Sequence, residues 1–490
     1  MKEIVATSMR PPVVLRIPVD LGTPVRAFLA LTKPGDDAFL LESVFGGESQ
    51  ARYSFLGFAP IELFEAGDGA SLRANGRVTG LGSDVEGALA QWAAGFIRHD
   101  APRQVPFLGG AVGWFDFASY GLFEPALRAG FPGARNPRIV FGLFSAGLVF
   151  DHLCQEVYLY RIPLDGEDET ECRSHLREME TCIAGAVRTV PADGSWSLLA
   201  GPQRDRFSRN LAAVQSAILA GDAYQVVLSE PFEGRYCGDP FAVYRRLRRL
   251  NPSPYHFYIS LAGRQVLGAS PEMLVRIEGR EVTTIPIAGT RRRGATPQED
   301  AALEDDLRAD PKELAEHAML VDLARNDLGR VCDFGSVTVP VRGRIERFSH
   351  VMHMTSEVRG RLSPDRSPLD AVWSTFPAGT VSGAPKIRAV QMLSELEGAD
   401  RGLYGGAVGV IDASGTIETC IAIRSMEFEG ETVRFRSGAG IVADSNEDSE
   451  WAEIHHKAAA LLAALHGDDA RPAPLTTDNQ QLSTAFGGER

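Results

Sequence analysis

Only six of the 490 residues are cysteine (Cys154, Cys172, Cys182, Cys237, Cys332, Cys420), and no two stand in a CxxC spacing. That excludes a zinc ribbon and argues against a disulfide framework, so reduced thiols in a cytoplasmic chain are expected. No apolar run approaches the ~18 residues of a membrane span. The N-terminus has no continuous apolar stretch and is broken by Pro11 and Pro12, so no secretory signal is read there. Positive charge is in deficit: 50 basic against 64 acidic residues leave a formal net charge of −14. That balance disfavours nucleic acid or an anionic membrane as the main partner. The GxxxxGK[ST] phosphate loop, the GxSxG elbow and any internal repeat are missing too. What is present is a 44% hydrophobic, 23% charged chain, the balance of a globular protein with a sizeable core.

Alternating apolar stretches from Phe39 to Phe64, over Phe107–Phe117 and over Arg138–Arg161 predict strands. Asp165–Glu171 predicts the opening of a helix running to about Val187, and PADGSWSLLAGPQ (191–203) a loop. The main internal boundary is placed at Pro191–Pro202. Ser208–Gly221 predicts a helix with Leu211, Val214, Ile218 and Leu219 on one face, Ser208 as N-cap and Gly221 as stop. Further on, strands alternate with two long helical patterns. One is Pro311–Leu328, with Asp310 as N-cap and Pro311 at the first position. The other is Ser445–His466, capped by Ser445 or Asn446 and closed by Gly467. From Asp468 the chain is polar and aperiodic and is expected to be disordered.

Chemistry-bearing residues collect on those two helices. Glu313/Glu316 and Glu450/Glu453 are i, i+3 pairs, so each pair shares one helix face, and Lys457 follows one turn on. Four carboxylates on two helices could hold one hard dication such as Mg²⁺, with Lys457 beside it for an anion. The plain alternative is two solvated helix faces. FPAGTVSGAPK (376–386) has the small residues that let backbone N–H groups approach an anion at a helix start, and Gly438 and Gly440 form a second glycine-rich turn. His350 and His353 lie on a strand-like segment, where i, i+3 spacing puts them on opposite faces, so a shared metal is not expected. Tyr404 and Arg424 sit in apolar alternating segments read as strands, and an Arg there needs an anion.

Taken in order, GDAYQVVLSEPF, NPSPYHFYIS, GASPEMLVR, PIAGTRRRG, ADPKELAEHAMLVDLARNDLGRV, IERFSHVMHMTSEV, FPAGTVSGAPKIRAVQMLSELE, YGGAVGVID, CIAIRSM and GAGIVADS with its two Glu and Lys457 resemble the chorismate-utilising enzymes. The likeness runs from about Phe39 to Leu465 and is strongest to the component I family of anthranilate synthases. It implies an α+β fold with two packed antiparallel sheets surrounded by helices. It also implies a strand-rich N-terminal regulatory region (1–200) packed on a catalytic region (201–467), followed by a tail (468–490). The activity implied is chorismate plus ammonia to anthranilate plus pyruvate, the first committed step of tryptophan synthesis. No cysteine sits in a Gly-Cys-Gly turn, so glutamine use implies a separate amidotransferase subunit, component II, in a hetero-oligomer.

Residue by residue, the resemblance implies that Glu313, Glu316, Glu450 and Glu453 bind Mg²⁺. Gly289, Thr290, Tyr404, Arg424, Gly438, Gly440 and Lys457 would hold substrate. Thr380 would line the same pocket, Glu272 would be the acid near the ring, and His353 would assist pyruvate loss. Glu42, Ser43, Pro254 and Tyr255 would hold L-tryptophan as inhibitor. Ala288 stands where aminodeoxychorismate synthases commonly carry a nucleophilic Lys, so the nucleophile is expected to be ammonia. Aminodeoxyisochorismate synthase and aminodeoxychorismate synthase stay open as alternatives, with an inactive amino-acid-sensing scaffold as a remote one. The chain departs from the family pattern at His256 (usually Met, beside the expected tryptophan site), at Arg292 (usually Pro) and at His456 (usually Asn).

Overall fold

The computed structural model describes residues 10–19, 22–43, 52–98, 105–127, 131, 138–191, 194–347 and 351–467. His350 and the polar tail from Asp468 lie outside them. Two twelve-stranded sheets, antiparallel in their pairings, face each other, and eleven α-helices lie among the described residues. Strands from both ends of the chain enter both sheets. The first carries Val13–Pro18 at one edge and Ser195–Ala200 at the other, and the second runs from Ile287–Arg292 to Arg77–Gly82.

Period-two patterning sorts the side chains into layers. In Tyr255–Leu261, Phe257, Ile259 and Leu261 join Phe39, Trp114 and Phe144 in a dry layer between the sheets. The alternate residue Tyr258 turns outward to Phe28, Phe241 and Tyr244. A second outer layer on the other sheet includes Trp92, Trp373, Val390 and Leu393.

The helices that carry the acid pairs form for the reasons their termini suggest. Asp310 caps Pro311–Gly329 by accepting from the backbone N–H groups of Lys312 (2.9 Å) and Glu313 (3.3 Å), with Pro311 at the first position. Asn446 caps Glu447–His466 through the Ser449 N–H, and Gly467 ends it at φ 78°. On this helix Ile454, Ala458, Leu461 and Leu465 are buried, and Glu450 lies one turn ahead on the same stripe.

Four local expectations fail. Gly438 and Gly440, read as a glycine-rich turn, lie within the strand Thr432–Ile441, paired with Ser229 and Val227, because small residues there let the neighbouring chain approach closely without ending the ladder. The helix read as Ser208–Gly221 is Arg204–Leu219, and Ser208 is not its cap but bonds back to Arg204 O (2.9 Å) and to Glu447 (2.7 Å). Pairing of Arg204 with Glu447 and burial of Phe207 draw the extra turn into the helix. The 191–203 loop contains the edge strand Ser195–Ala200, whose mostly exposed residues give no apolar alternation to read. Tyr404 and Arg424 lie off the strands. Tyr404 is in a turn before Ala407–Asp412, and Arg424, at φ 49°, is where the chain leaves Ile417–Ile421 in one sheet for Ser425–Glu429 in the other.

Candidate active site

The site is built where the chain changes sheets. Glu272 sits between Arg264–Ser270 of the first sheet and Met273–Glu278 of the second, as Arg424 sits at the neighbouring crossover. Residues at such points leave the sheet ladder and their side chains are free to converge. Glu272 is buried, and the Thr380 hydroxyl donates to its two oxygens at 3.2 and 3.3 Å. Burial pushes its carboxyl up to about 8, against the opposing pull of Thr380, Lys457 and Arg424. At neutral pH it is therefore a proton donor.

His353 lies on Val351–Arg361, opposite Thr290 of Ile287–Arg292. Its Nδ1 is 2.9 Å from Thr290 Oγ1 and 3.3 Å from Gly289 O. A carbonyl only accepts, so Nδ1 carries the proton of the neutral ring and Nε2 is the basic nitrogen. Burial, then the nearby Arg424 charge, hold the imidazole down at about 4. Glu272 is thus a neutral acid and His353 a neutral base, each within the field of Arg424. Gly289 makes this pairing possible. Its φ is +73°, the ladder slips a residue there, and a Cβ would come within 2.9 Å of Leu307.

Beside them lie residues expected to hold the substrate's carboxylates. Tyr404 is buried, and burial raises its phenol to about 12, so it stays a donor. A Cβ on Gly438 would lie 2.5 Å from the Tyr404 hydroxyl and 2.6 Å from Leu228 O, so only glycine allows this approach. Lys457 Nζ donates to Gly438 O at 3.1 Å and pairs with Glu453 at 2.5 Å. Gly440 backs onto Gln225, whose amide donates to Glu316 at 3.3 Å.

The four glutamates are within electrostatic reach of one another. Burial raises the Glu316 carboxyl, with Glu313 and Glu453 adding to the effect; burial likewise raises Glu450, with Glu453 adding. Hard oxygen donors that repel one another fit a dication such as Mg²⁺. Among the described residues, however, no three His, Cys, Asp or Glu side chains are already gathered at ligating range. Two of the four hold cations instead: Glu453 holds Lys457, and Glu313 holds Arg291 at 3.1 Å.

Lys386, the last residue of the FPAGTVSGAPK segment, serves the fold. It is buried against Asp327 (2.9 Å) and the carbonyls of Ser374 and Thr375. Gln225, Arg291, Asn251 (3.4 Å from Arg424) and Arg401 were not read as site residues: the first three lie in motifs that carry the resemblance but meet their partners only through distant segments, and Arg401 lies in no motif.

Glu42, Ser43, Pro254 and Tyr255 border a second cavity, of about 460 Å³, between the sheets. That volume is in the usual range for a small-molecule pocket. Ser43 Oγ is buried without a partner, and Tyr255 OH donates to Glu418 at 3.1 Å. Glu42 is committed to the opposite side of its strand, where Tyr244 OH (2.6 Å) and Arg248 (2.9 Å) donate to it. His256 pairs with Glu42 across the ladder and so shares that face; its Nε2 lies 3.0 Å from Asn251 O. The imidazole thus points away from the residues expected to meet an indole.

Residues 37–463 match the family model described as chorismate binding enzyme. The chain is 42% identical over 465 residues to an anthranilate synthase component 1 of Streptomyces coelicolor, covering 92% of this chain and 88% of that protein. It is 38% identical over 471 residues to one from Acetivibrio thermocellus, covering 93% and 95%. The crystal structure of anthranilate synthase component I from Streptococcus pneumoniae superimposes with a TM-score of 0.75 at 33% identity, over 91% of this chain and 99% of that one.

Proposed function

The chain belongs to the chorismate-binding enzymes, in their component I family of anthranilate synthases, and from this we propose how its residues divide the reaction. The activity is addition of ammonia to chorismate with loss of the ring hydroxyl, followed by loss of pyruvate to give anthranilate. The observation that carries the division of labour is that a neutral acid, Glu272, and a neutral base, His353, both lie within the field of the Arg424 charge. Glu272 gives its proton to the departing hydroxyl, which leaves as water. In the second step His353, through Nε2, takes the ring C–H proton as the ring C–O bond to the enolpyruvyl group breaks, and the released enol takes up a proton at its methylene carbon to become pyruvate. Tyr404, Arg424, Lys457 and the backbone at Gly438 and Gly440 hold the substrate's carboxylates, and Gly289, Thr290 and Thr380 line the pocket.

Glu313, Glu316, Glu450 and Glu453 would hold Mg²⁺, directly or through water. When bound, Mg²⁺ supplies positive charge beside the ring carboxylate. Its arrival would release Lys457 and Arg291 from Glu453 and Glu313. Glu453→Gln is expected to weaken Mg²⁺ binding by calorimetry and to remove activity while leaving the fold intact; wild-type Mg²⁺ affinity in that variant would refute the assignment.

A component I has a component II partner, here taken as a glutamine amidotransferase that supplies ammonia in a hetero-oligomer. The setting is cytoplasmic; no described helix is long and apolar enough to cross a membrane. The cavity at Ser43 and Tyr255 is assigned to L-tryptophan, with Ser43 Oγ meeting the polar end and Pro254 and Tyr255 the indole. Glu42 meets the ammonium if it turns from Arg248. The N-terminal region is then regulatory, and closure around the inhibitor disfavours the productive site.

The test is incubation of the purified chain with chorismate, ammonium and Mg²⁺, with products identified by mass. Anthranilate and pyruvate in equal amounts are expected. Consumption of chorismate without pyruvate would reject this reading in favour of an enzyme that stops at an aminated intermediate.

A further inference from the structure

Arg401 lies over the ring of Tyr404, 5.6 Å from its centroid, and over Phe117 at 4.6 Å. Its guanidinium is buried with its donors spent on four acceptors. Nη1 donates to Val381 O and Nη2 to Val227 O, both at 2.7 Å. Nη2 and Nε donate to the two oxygens of Glu397 at 2.7 and 2.8 Å. Glu397 also accepts from Ser229 N and Oγ, each at 2.9 Å, and from Arg436 at 3.1 Å. Arg436 in turn donates to Ser229 Oγ and O at 2.9 Å.

Each point this hub grips adjoins a residue of the substrate pocket. Val381 follows Thr380 in the chain. Val227 and Ser229 face Gly440 and Gly438 across the ladder, and Arg436 is two residues ahead of Gly438 on the same strand. In this triad one carboxylate faces two guanidiniums, and the buried Glu230 carboxylate also acts on Arg436. Although burial opposes it, those guanidiniums hold Glu397 below the ordinary carboxylate range, so the acid stays ionised. A buried ion triad is a weak source of stability, because apolar side chains of similar volume do as well. What it does supply is fixed geometry and charge.

We propose that Arg401, locked by Glu397, is a positioning residue for the substrate-carboxylate corner. It sets the separation of the Tyr404 hydroxyl from the Gly438 backbone. This rests on the assignment of Tyr404 to substrate binding made above, and the test separates the two.

Arg401→Lys keeps the charge and loses the planar fork. In the ammonia-dependent reaction it is expected to raise KM for chorismate about tenfold with kcat within about twofold of wild type. Tyr404→Phe is expected to raise KM alone, and in that background Arg401→Lys is expected to add less than about twofold. An unchanged KM in Arg401→Lys, or the same rise in both backgrounds, would overturn the inference while leaving Tyr404 in place. A wild-type KM in Tyr404→Phe would overturn the assignment of Tyr404 and the inference with it. Should Arg401→Lys not fold, Glu397→Gln, which keeps the side-chain shape and loosens the fork, enters the same cycle under the same criteria.

Discussion

At the scale of single residues the account turns on two protons. Glu272 is neutral through pH 7 because burial raises its carboxyl to about 8. A raised acid gives the fold stability that is whole below the ordinary carboxylate range and is lost as pH climbs through about 8. Glu272→Gln removes that titration and the proton together. It is expected to lower kcat by about 100-fold or more, the loss of a general acid, yet to hold its Tm at about pH 9, where wild type loses stability. Melting curves and rates across pH 6–9 check both; a wild-type Tm profile would contradict the burial argument. The basic nitrogen at His353 has the opposite dependence. Its imidazole is held at about 4, so its base form is intact across neutrality and the alkaline limb of activity belongs to Glu272.

At the scale of elements, what was legible in the sequence was local. Asp310 with Pro311, and Asn446 with Gly467, announce both helices, and i, i+3 spacing places both acid pairs on them, because caps and helix faces depend on near neighbours. What was not legible depended on distant contacts. Arg424 reads as a strand residue, and only the crossover between sheets reveals why it has φ 49°. Arg401 has no motif of its own; its partners lie on segments up to 174 positions away. The catalytic roles came from family resemblance rather than from spacing, since no local pattern joins Glu272 to Thr380 or His353 to Thr290. Close approach at Gly438 is the most exposed to a single change. Gly438→Ala puts a methyl 2.5 Å from the Tyr404 hydroxyl. Relieving that contact takes a shift of about 1 Å, which costs about 100-fold in kcat/KM, and steady-state kinetics with chorismate will read it; activity near wild type would remove Gly438 from the substrate corner.

At the scale of the whole molecule, the two sheets create two separate cavities, one at the crossovers and one between the layers. They share a stretch of chain: Pro271 and Met273 border the inter-sheet cavity on either side of Glu272. On the proposed reading, that shared stretch is the short path by which an inhibitor in one acts on the other. Ser43→Phe fills the inter-sheet cavity and is expected to abolish inhibition by L-tryptophan while turnover with ammonia is retained. Titration of tryptophan against activity reads this, and an inhibition constant unchanged from wild type would place the regulator elsewhere. His256 borders this cavity too, with its Nε2 turned to Asn251 O.

The claim beneath all of this is that one pocket performs amination and pyruvate loss, with His353 needed for the second step. Its most direct test follows ¹⁵N-ammonium and chorismate, by mass, through wild type and His353→Ala in the presence of Mg²⁺. Wild type is expected to yield ¹⁵N-anthranilate and pyruvate one for one. His353→Ala is expected to consume chorismate and accumulate a ¹⁵N-labelled product that still carries its enolpyruvyl group. Anthranilate formed by the variant at the wild-type rate would contradict the role given to His353, and wild type releasing the aminated intermediate in place of anthranilate would contradict the function itself.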